Sequence, residues 1–180
     1  MNALLPDRLH TQRLVLRKPR ESDAVTIFHR HVQDVEVSRY TVWQPHISLA
    51  QTEGVIAECL EDWESGTAQA YVMTSSDDVD HALGMIEIRA HAPAADIGYG
   101  LGRRHWGNGY APEAARALTE LVLADARFFR VQATCDVENH ASARTLEKAG
   151  FTREGQLERY TVHPNISPEP RACFLYARCR

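Results

Sequence analysis

The sequence predicts a mixed α/β domain, one sheet with helices on both faces, and three observations predict it. Short alternating, β-branched runs interleave with longer stripes of helical periodicity, in the order β-α-α-β-β-β-α-β-α-β-β. At 180 residues, 44% hydrophobic and 24% charged, the chain can bury one substantial core and is composed like an ordinary globular domain. A glycine-rich junction, GLGRRHWGNGYAPEA at 100–114, joins a strand to a helix. The expectation is a single domain over 1–180, with 1–8 a flexible tail.

Taken in order, RLVLR at 13–17 alternates and reads as the first strand. Ser22 or Asp23 is placed to cap a helix running to about residue 35. A second helix fits 49–64, where Val55, Ile56, Cys59, Leu60 and Trp63 fall at helical spacing. Between the two lies the aromatic loop SRYTVWQPHIS. Strands follow at 69–74, 83–89 and 96–101, separated by SSDDVD and HAPAA turns. The segment 111–126 lines up Ala111, Ala115, Leu118, Leu121, Val122 and Ala126 on one stripe, an amphipathic helix whose first turn suits Pro112. FRVQATC is a strand, and the next helix is capped by Asn139 and stopped by Gly150. Two strands, 152–162 and 171–177, close the chain as a hairpin around HPNISPEP.

Composition excludes several classes. A net charge of −4 argues against broad nucleic-acid binding, which needs a basic face. MNALLPDRLHTQR has no apolar run long enough for a signal-peptide core, and no stretch approaches a membrane span. The four cysteines form no CxxC pair and read as reduced thiols of a cytoplasmic protein. Among nine histidines, His29-x-His31 is the nearest approach to a ligand pair, but residues two apart on a helix point to different sides, so no metal is expected.

Four glycines and two arginines at the start of a helix suit a phosphate. The dinucleotide fingerprint fails because His105 stands where a third glycine is needed. A Walker A loop fails because Asn108-Gly109 replaces its Lys-Ser/Thr pair. Arg/Gln-x-x-Gly-x-Gly/Ala is filled at every defined position by Arg104, Gly107 and Gly109. Its physical basis is the helix start: the first amides have no intrahelical partner, the peptide dipoles leave partial positive charge, and glycines let a pyrophosphate approach.

The junction and the later DVENHASARTLEKAGF make the chain resemble the GNAT superfamily of acetyl-CoA-dependent N-acetyltransferases. TQRLVLRKPRESDA near the start and N-x-x-S…LEKAGF near the end are similar to its RimJ/RimL branch. The resemblance spans roughly 9–177. It implies a mostly antiparallel seven-stranded sheet that splays between its fourth and fifth strands, with the pantetheine arm of coenzyme A in the opening. It also implies acetyl transfer to a primary amine, either a protein N-terminus such as a ribosomal protein's or a small-molecule amine. Homodimers are common in the family, although no stripe in this sequence marks an interface.

Acyl transfer to an amine requires the amine to lose a proton, a donor for the developing oxyanion, and stabilisation of the leaving thiolate. The resemblance assigns cofactor contacts to Leu101, Gly102, Arg103, Arg104, Trp106, Gly107, Asn108, Gly109, Tyr110 and Ala111, with Asn139, Ser142 and Lys148 from the later helix. Leu101 is the expected backbone donor to the oxyanion. Where many relatives carry an acid tyrosine this chain has Leu146, so Ser142 is expected to serve the thiolate. Asp96 and Glu87 compete as base, and both also read as ordinary strand carboxylates. Lys148 and Arg144 either reach the 3′-phosphate or lie on a solvated face. Tyr40, Trp43 and His46 are expected to wall the acceptor pocket, with core packing an equal reading for Trp43, and Gly100 to widen it. The alternative function is a non-catalytic acyl-CoA-binding or regulatory module on the same fold.

Overall fold

The computed structural model describes residues 5–180. Eight strands form one sheet: β1 (Arg8–His10), β2 (Leu14–Arg17), β3 (Gln69–Ser75), β4 (Asp78–His91), β5 (Ala94–Leu101), β6 (Arg130–Asp136), β7 (Thr152–Thr161) and β8 (Arg171–Cys179). Their spatial order is β1-β2-β3-β4-β5-β6-β8-β7. Every pairing is antiparallel except β5 with β6. The expected seven strands are all present, and β1 is an eighth. It pairs with β2 from Arg8↔Arg17 to His10↔Val15, so Arg8, expected in the tail, belongs to the sheet. Leu5 is buried, its amide donates to Gln69 Oε1 at 3.1 Å, and Tyr71 donates to Pro6 O at 2.7 Å. Residues 1–4 of that expected tail lie outside the described residues.

Five α-helices cover the two faces: α1 (Asp23–Ile27), α2 (Val35–Ser38), α3 (Leu49–Ser65), α4 (Tyr110–Ala124) and α5 (His140–Lys148). The helix expected to run unbroken to residue 35 does not. It winds into a π turn at Phe28–Val32, then restarts at Asp34, whose side chain accepts the Glu36 amide. Asp23 forms no cap; it makes a buried bidentate pair with Arg17 at 2.6 and 2.8 Å and accepts the Arg20 amide. That pair ties α1 to β2, and removing one partner from such a buried pair costs about 3–5 kcal/mol.

α4 lays Ala111, Ala114, Ala115, Leu118 and Val122 against Ile86, Ile97 and Leu101, while Ala126 falls beyond its end and is exposed. Fully burying Leu118 or Val122 contributes about 1.5–3 kcal/mol each. On the opposite face, Ala24, Ile27 and Phe28 pack with Ile56, Val72 and Met85. Val55, expected on that stripe, is 39% exposed.

The parallel pairing of β5 and β6 stops after three rungs, at Asp96↔Gln132. Beyond it β5 stays bonded to β4 and β6 to β8, so the sheet opens between 97–101 and 133–136. This is the expected splay. Among the described residues, no helix is long and apolar enough to cross a membrane.

Candidate active site

The junction stands beside this opening. β5 ends at Leu101, Arg103–His105 make a 3-10 turn, and Gly107 and Gly109 take φ of +79° and +77° before α4 begins. Gly109 occupies the N-cap position and offers no side chain to the first turn. The amides of Tyr110 and Ala111 therefore lack an intrahelical partner, and Pro112 has no amide to satisfy. A Cβ on Gly107 would meet nothing within 4 Å, so the backbone there is bare and open. These residues fit an anionic diphosphate.

The turn is held from inside. Trp106 Nε1 donates to Leu101 O at 2.8 Å, and Asn108 Nδ2 donates to the carbonyls of His105 and Trp106. Arg104 is exposed and, among the described residues, pairs with no carboxylate. Arg103 instead pairs with Asp34 at 2.9 Å, on the α2 side.

A strap invisible in the sequence also reaches the junction. Arg13 Nη1 donates to Asn108 O at 2.9 Å, Arg13 Nε bonds Glu113 at 2.7 Å, and Thr11 Oγ1 donates to Glu113 Oε1 at 2.6 Å. Burial works to raise the Glu113 carboxyl, but the Thr11 and Arg13 bonds outweigh it and hold the group below its usual range. Alongside lies a cavity of about 510 Å³ whose lining includes Arg13, Gly109, Arg116 and Lys148. Lys148, whose carbonyl accepts from Arg116, is thus brought beside the junction; Arg144 is exposed and outside that lining.

Across the opening, Asn139 caps α5 by accepting the Ser142 amide at 3.1 Å. Ser142 Oγ lies 2.9 Å from the Tyr99 hydroxyl, which also reaches Ser142 O at 3.2 Å. Tyr99 was not singled out from sequence, although the alternation of IGYGL puts it on the side of Ile97 and Leu101. Burial pushes its hydroxyl well above the ordinary range, so it remains a donor. Leu146 is a fully buried core residue.

Gly102 donates its amide to Leu83 O at 2.9 Å, which sets the phase of the β4–β5 ladder. Peptide groups alternate sides along an antiparallel strand, so those of Tyr99 and Leu101 turn away from β4 and toward the opening. The Leu101 carbonyl takes Trp106, and its amide faces the cleft.

The carboxylates stand elsewhere. Asp96 occupies the last closed rung, with one oxygen accepting from Gln132 at 2.9 Å and the other on His91 at 2.5 Å. Five residues of strand, about 17 Å, separate it from Leu101. Both Asp96 oxygens are thus engaged, at the closed end of the opening. Glu87 is level with Gly98, roughly 10 Å from Leu101 along the strand. It pairs with Arg89 at 2.5 Å.

In the aromatic loop, Trp43 and His46 come together, ring centres 5.6 Å apart, and His46 Nδ1 lies 2.8 Å from Thr52 Oγ1. Trp43 also packs against the core, as its alternative reading expected. Tyr40 turns away and donates to Glu138 O at 3.3 Å. Asn165 anchors the loop by donating to the carbonyls of Ser38 and Trp43. The space beside Gly100 is taken by the His31 ring, 3.0 Å from where a Cβ would stand.

Residues 13–152 match the family model described as acetyltransferase (GNAT) domain. The chain is 31% identical over 156 residues to "Uncharacterized N-acetyltransferase p20" of Bacillus licheniformis, covering 86% of this chain and 87% of that protein. It shares its fold with Mycobacterium smegmatis RimJ in complex with CoA-disulfide, at a TM-score of 0.87 and 21% identity over 99% of this chain and 90% of that one. The RimL ribosomal L7/L12 alpha-N-protein acetyltransferase in complex with coenzyme A aligns at 0.81 and 21% identity, over 94% and 95%. The family model covers most of the chain, and the chain belongs to the GNAT family of N-acetyltransferases.

Proposed function

We propose that the protein moves an acetyl group from acetyl-CoA to a primary amine by direct attack within a ternary complex. The observation that carries this is the sheet opening, with bare helix amides at one end and the Tyr99–Ser142 pair across it. Acetyl-CoA supplies an activated thioester. The amides of Tyr110 and Ala111, with Gly107 and Gly109 beneath, hold its diphosphate, and Arg13, Arg116 and Lys148 add positive charge nearby. The Leu101 amide donates to the carbonyl oxygen as negative charge develops there. Ser142 donates to the departing sulfur. The nitrogen–carbon bond forms, the carbon–sulfur bond breaks, and the proton lost by nitrogen is balanced by one gained at sulfur.

RimL is named for an α-amine of a ribosomal protein, and the geometry favours an α-amine here. Both candidate carboxylates are engaged, so the site suits an amine needing little help. An α-amine of pKa about 7.7–8.0 is roughly a tenth neutral at pH 7, whereas lysine at about 10.4 is almost wholly charged. A small-molecule α-amine satisfies the same reasoning. The protein is taken to act in the cytoplasm, in keeping with its four free cysteines.

A thiol-release and intact-mass screen against peptides with free N-termini, polyamines and aminoglycosides tests this. Acceptor-stimulated release with transfer of one acetyl group is expected. Acetyl-CoA binding without stimulated release by any amine would favour the binding module.

Tyr99 positions Ser142. Tyr99→Phe removes the hydroxyl that meets Ser142 Oγ and Ser142 O, and kcat is expected to fall roughly tenfold, the weight of about 1.4 kcal/mol for the side-chain bond, with KM for acetyl-CoA unchanged. In a Ser142→Ala background the same change should cost kcat little more, because the bond to the serine hydroxyl is already gone and the remaining Tyr99 bond, to the residue 142 carbonyl, positions no reacting group. Two independent, additive losses would separate the residues.

A further inference from the structure

Three oddities converge on one side chain. α1 widens into a π turn at Phe28–Val32, a form that recurs at functional sites. It turns His31 inward, leaving 6% of the residue exposed, and His31 Nδ1 is shut from solvent with no hydrogen-bond partner. Among the described residues the other such side-chain atom is Thr119 Oγ1. An orphan of that kind works against folding and leaves a ring nitrogen whose hydrogen-bonding capacity the fold does not use.

The seat for this ring is cut into β5. A Cβ on Gly100 would lie 3.0 Å from His31 Cε1 and 3.1 Å from Nε2, and one on Gly102 would lie 2.7 Å from Arg30 O. Two glycines on one face of the strand let the π turn rest on its backbone. Gly100 immediately precedes Leu101, whose amide faces the opening. His31 stands on the α1–α3 face of β5 and Ser142 on the other, so nucleophile and leaving group are served from opposite sides.

The surroundings are aromatic. The Trp43 ring lies 6.4 Å from His31 and 5.6 Å from His46. Asp34 is held by Arg103 and Glu87 by Arg89. Burial foremost, with His46 adding to it and Asp34 opposing, pushes the His31 pKa down to about 4, and burial lowers His46 as well.

We propose that His31 is the contact for the acceptor amine: its neutral imidazole accepts a hydrogen bond from the amine N–H and leaves the nitrogen lone pair facing the thioester held at Leu101. This rests on the acetyltransferase reading above and narrows it. A neutral imidazole always keeps one nitrogen free to accept. With both nearby carboxylates engaged, no counter-charge awaits an ammonium, and a buried unpaired cation is strongly disfavoured. The substrate class is therefore an amine that is easily neutral, an α-amine rather than a lysine side chain or a polyamine. His31 holds the N–H without keeping the proton, which passes to solvent, while the Ser142 hydroxyl donates a hydrogen bond to the departing thiolate and the sulfur takes its proton from solvent.

The test compares His31→Leu, which loses the acceptor, with His31→Gln, which keeps one. The probes are a short peptide with a free α-amine and an Nα-blocked lysine amide, and the acetyl-CoA thermal shift is read alongside. Wild type is expected to prefer the α-amine. His31→Leu should lower kcat/KM for it by 10- to 100-fold while keeping the acetyl-CoA shift and an equal or higher Tm, because the orphan is removed. His31→Gln should recover part of the loss. Should His31→Leu fail to fold, Gly100→Ala displaces the ring by its methyl and should lower kcat/KM with the shift retained. His31→Leu within twofold of wild type overturns the inference and leaves the acetyltransferase reading standing. So does a Tm that falls in step with activity, which assigns His31 to packing. A preference for the lysine amide overturns the substrate class. Wild type that turns over neither amine, or shows no acetyl-CoA shift, overturns that reading and the inference together.

Discussion

Replacing Gly109 with valine is expected to abolish stabilisation of the protein by acetyl-CoA while leaving its helix and strand content nearly intact. Gly109 sits at φ +77°, in the left-handed region, immediately before α4. A residue with a Cβ is strained there by about 1–2 kcal/mol, a cost that a domain of this size survives. The larger effect is on the ligand. The added Cβ would lie 3.4 Å from Arg13 Nη2, an arginine already fastened to Glu113 and to the Asn108 carbonyl. Valine's methyls then occupy the approach to the Tyr110 and Ala111 amides. At one hundred times its dissociation constant, acetyl-CoA should stabilise wild type by about 2.7 kcal/mol, roughly 5–10 °C in Tm. The variant should show none of it, and circular dichroism should confirm that the fold persists. An undiminished shift would remove the diphosphate from this loop.

Ser142→Ala is expected to lower kcat by roughly 100-fold, the usual weight of a positioned acid, with KM for acetyl-CoA little changed. The separation is clean because the serine's structural contact is made by its backbone. Asn139 accepts the Ser142 amide, which alanine retains, so α5 keeps its cap. Tyr99 keeps the Ser142 carbonyl at 3.2 Å. What disappears is the hydroxyl available to the departing sulfur. Equal losses in kcat and in acetyl-CoA affinity would make Ser142 a binding residue, and unchanged turnover would remove it from the mechanism.

Much of this was legible in the chain because it depends on local pattern. The seven longer strands announce themselves as short runs between turn residues, the first of them by alternation, α4 by its alanine and leucine stripe, and the junction by glycines where positive φ is required. What was not legible depends on partners distant in sequence. β1 is three residues long and exists through its pairing with β2. The Thr11–Arg13 strap meets Glu113 a hundred residues on, and Tyr99 meets Ser142 across 43. No spacing rule links such pairs. Asp96 was legible as a carboxylate on the right strand, but Gln132 and His91, which occupy it, come from neighbouring elements. The π turn is a negotiated shape, set where α1 presses on Gly100 and Gly102. A straight helix was the reasonable expectation, and it hid His31.

The most direct measurement is a crystal structure of the protein grown with coenzyme A. The diphosphate oxygens should lie about 2.7–3.2 Å from the backbone amides that open α4, with the pantetheine arm between β5 and β6 and its sulfur near Ser142. A cofactor bound elsewhere, leaving the Gly107–Gly109 turn unvisited or filled by a side chain of the protein, would contradict the account.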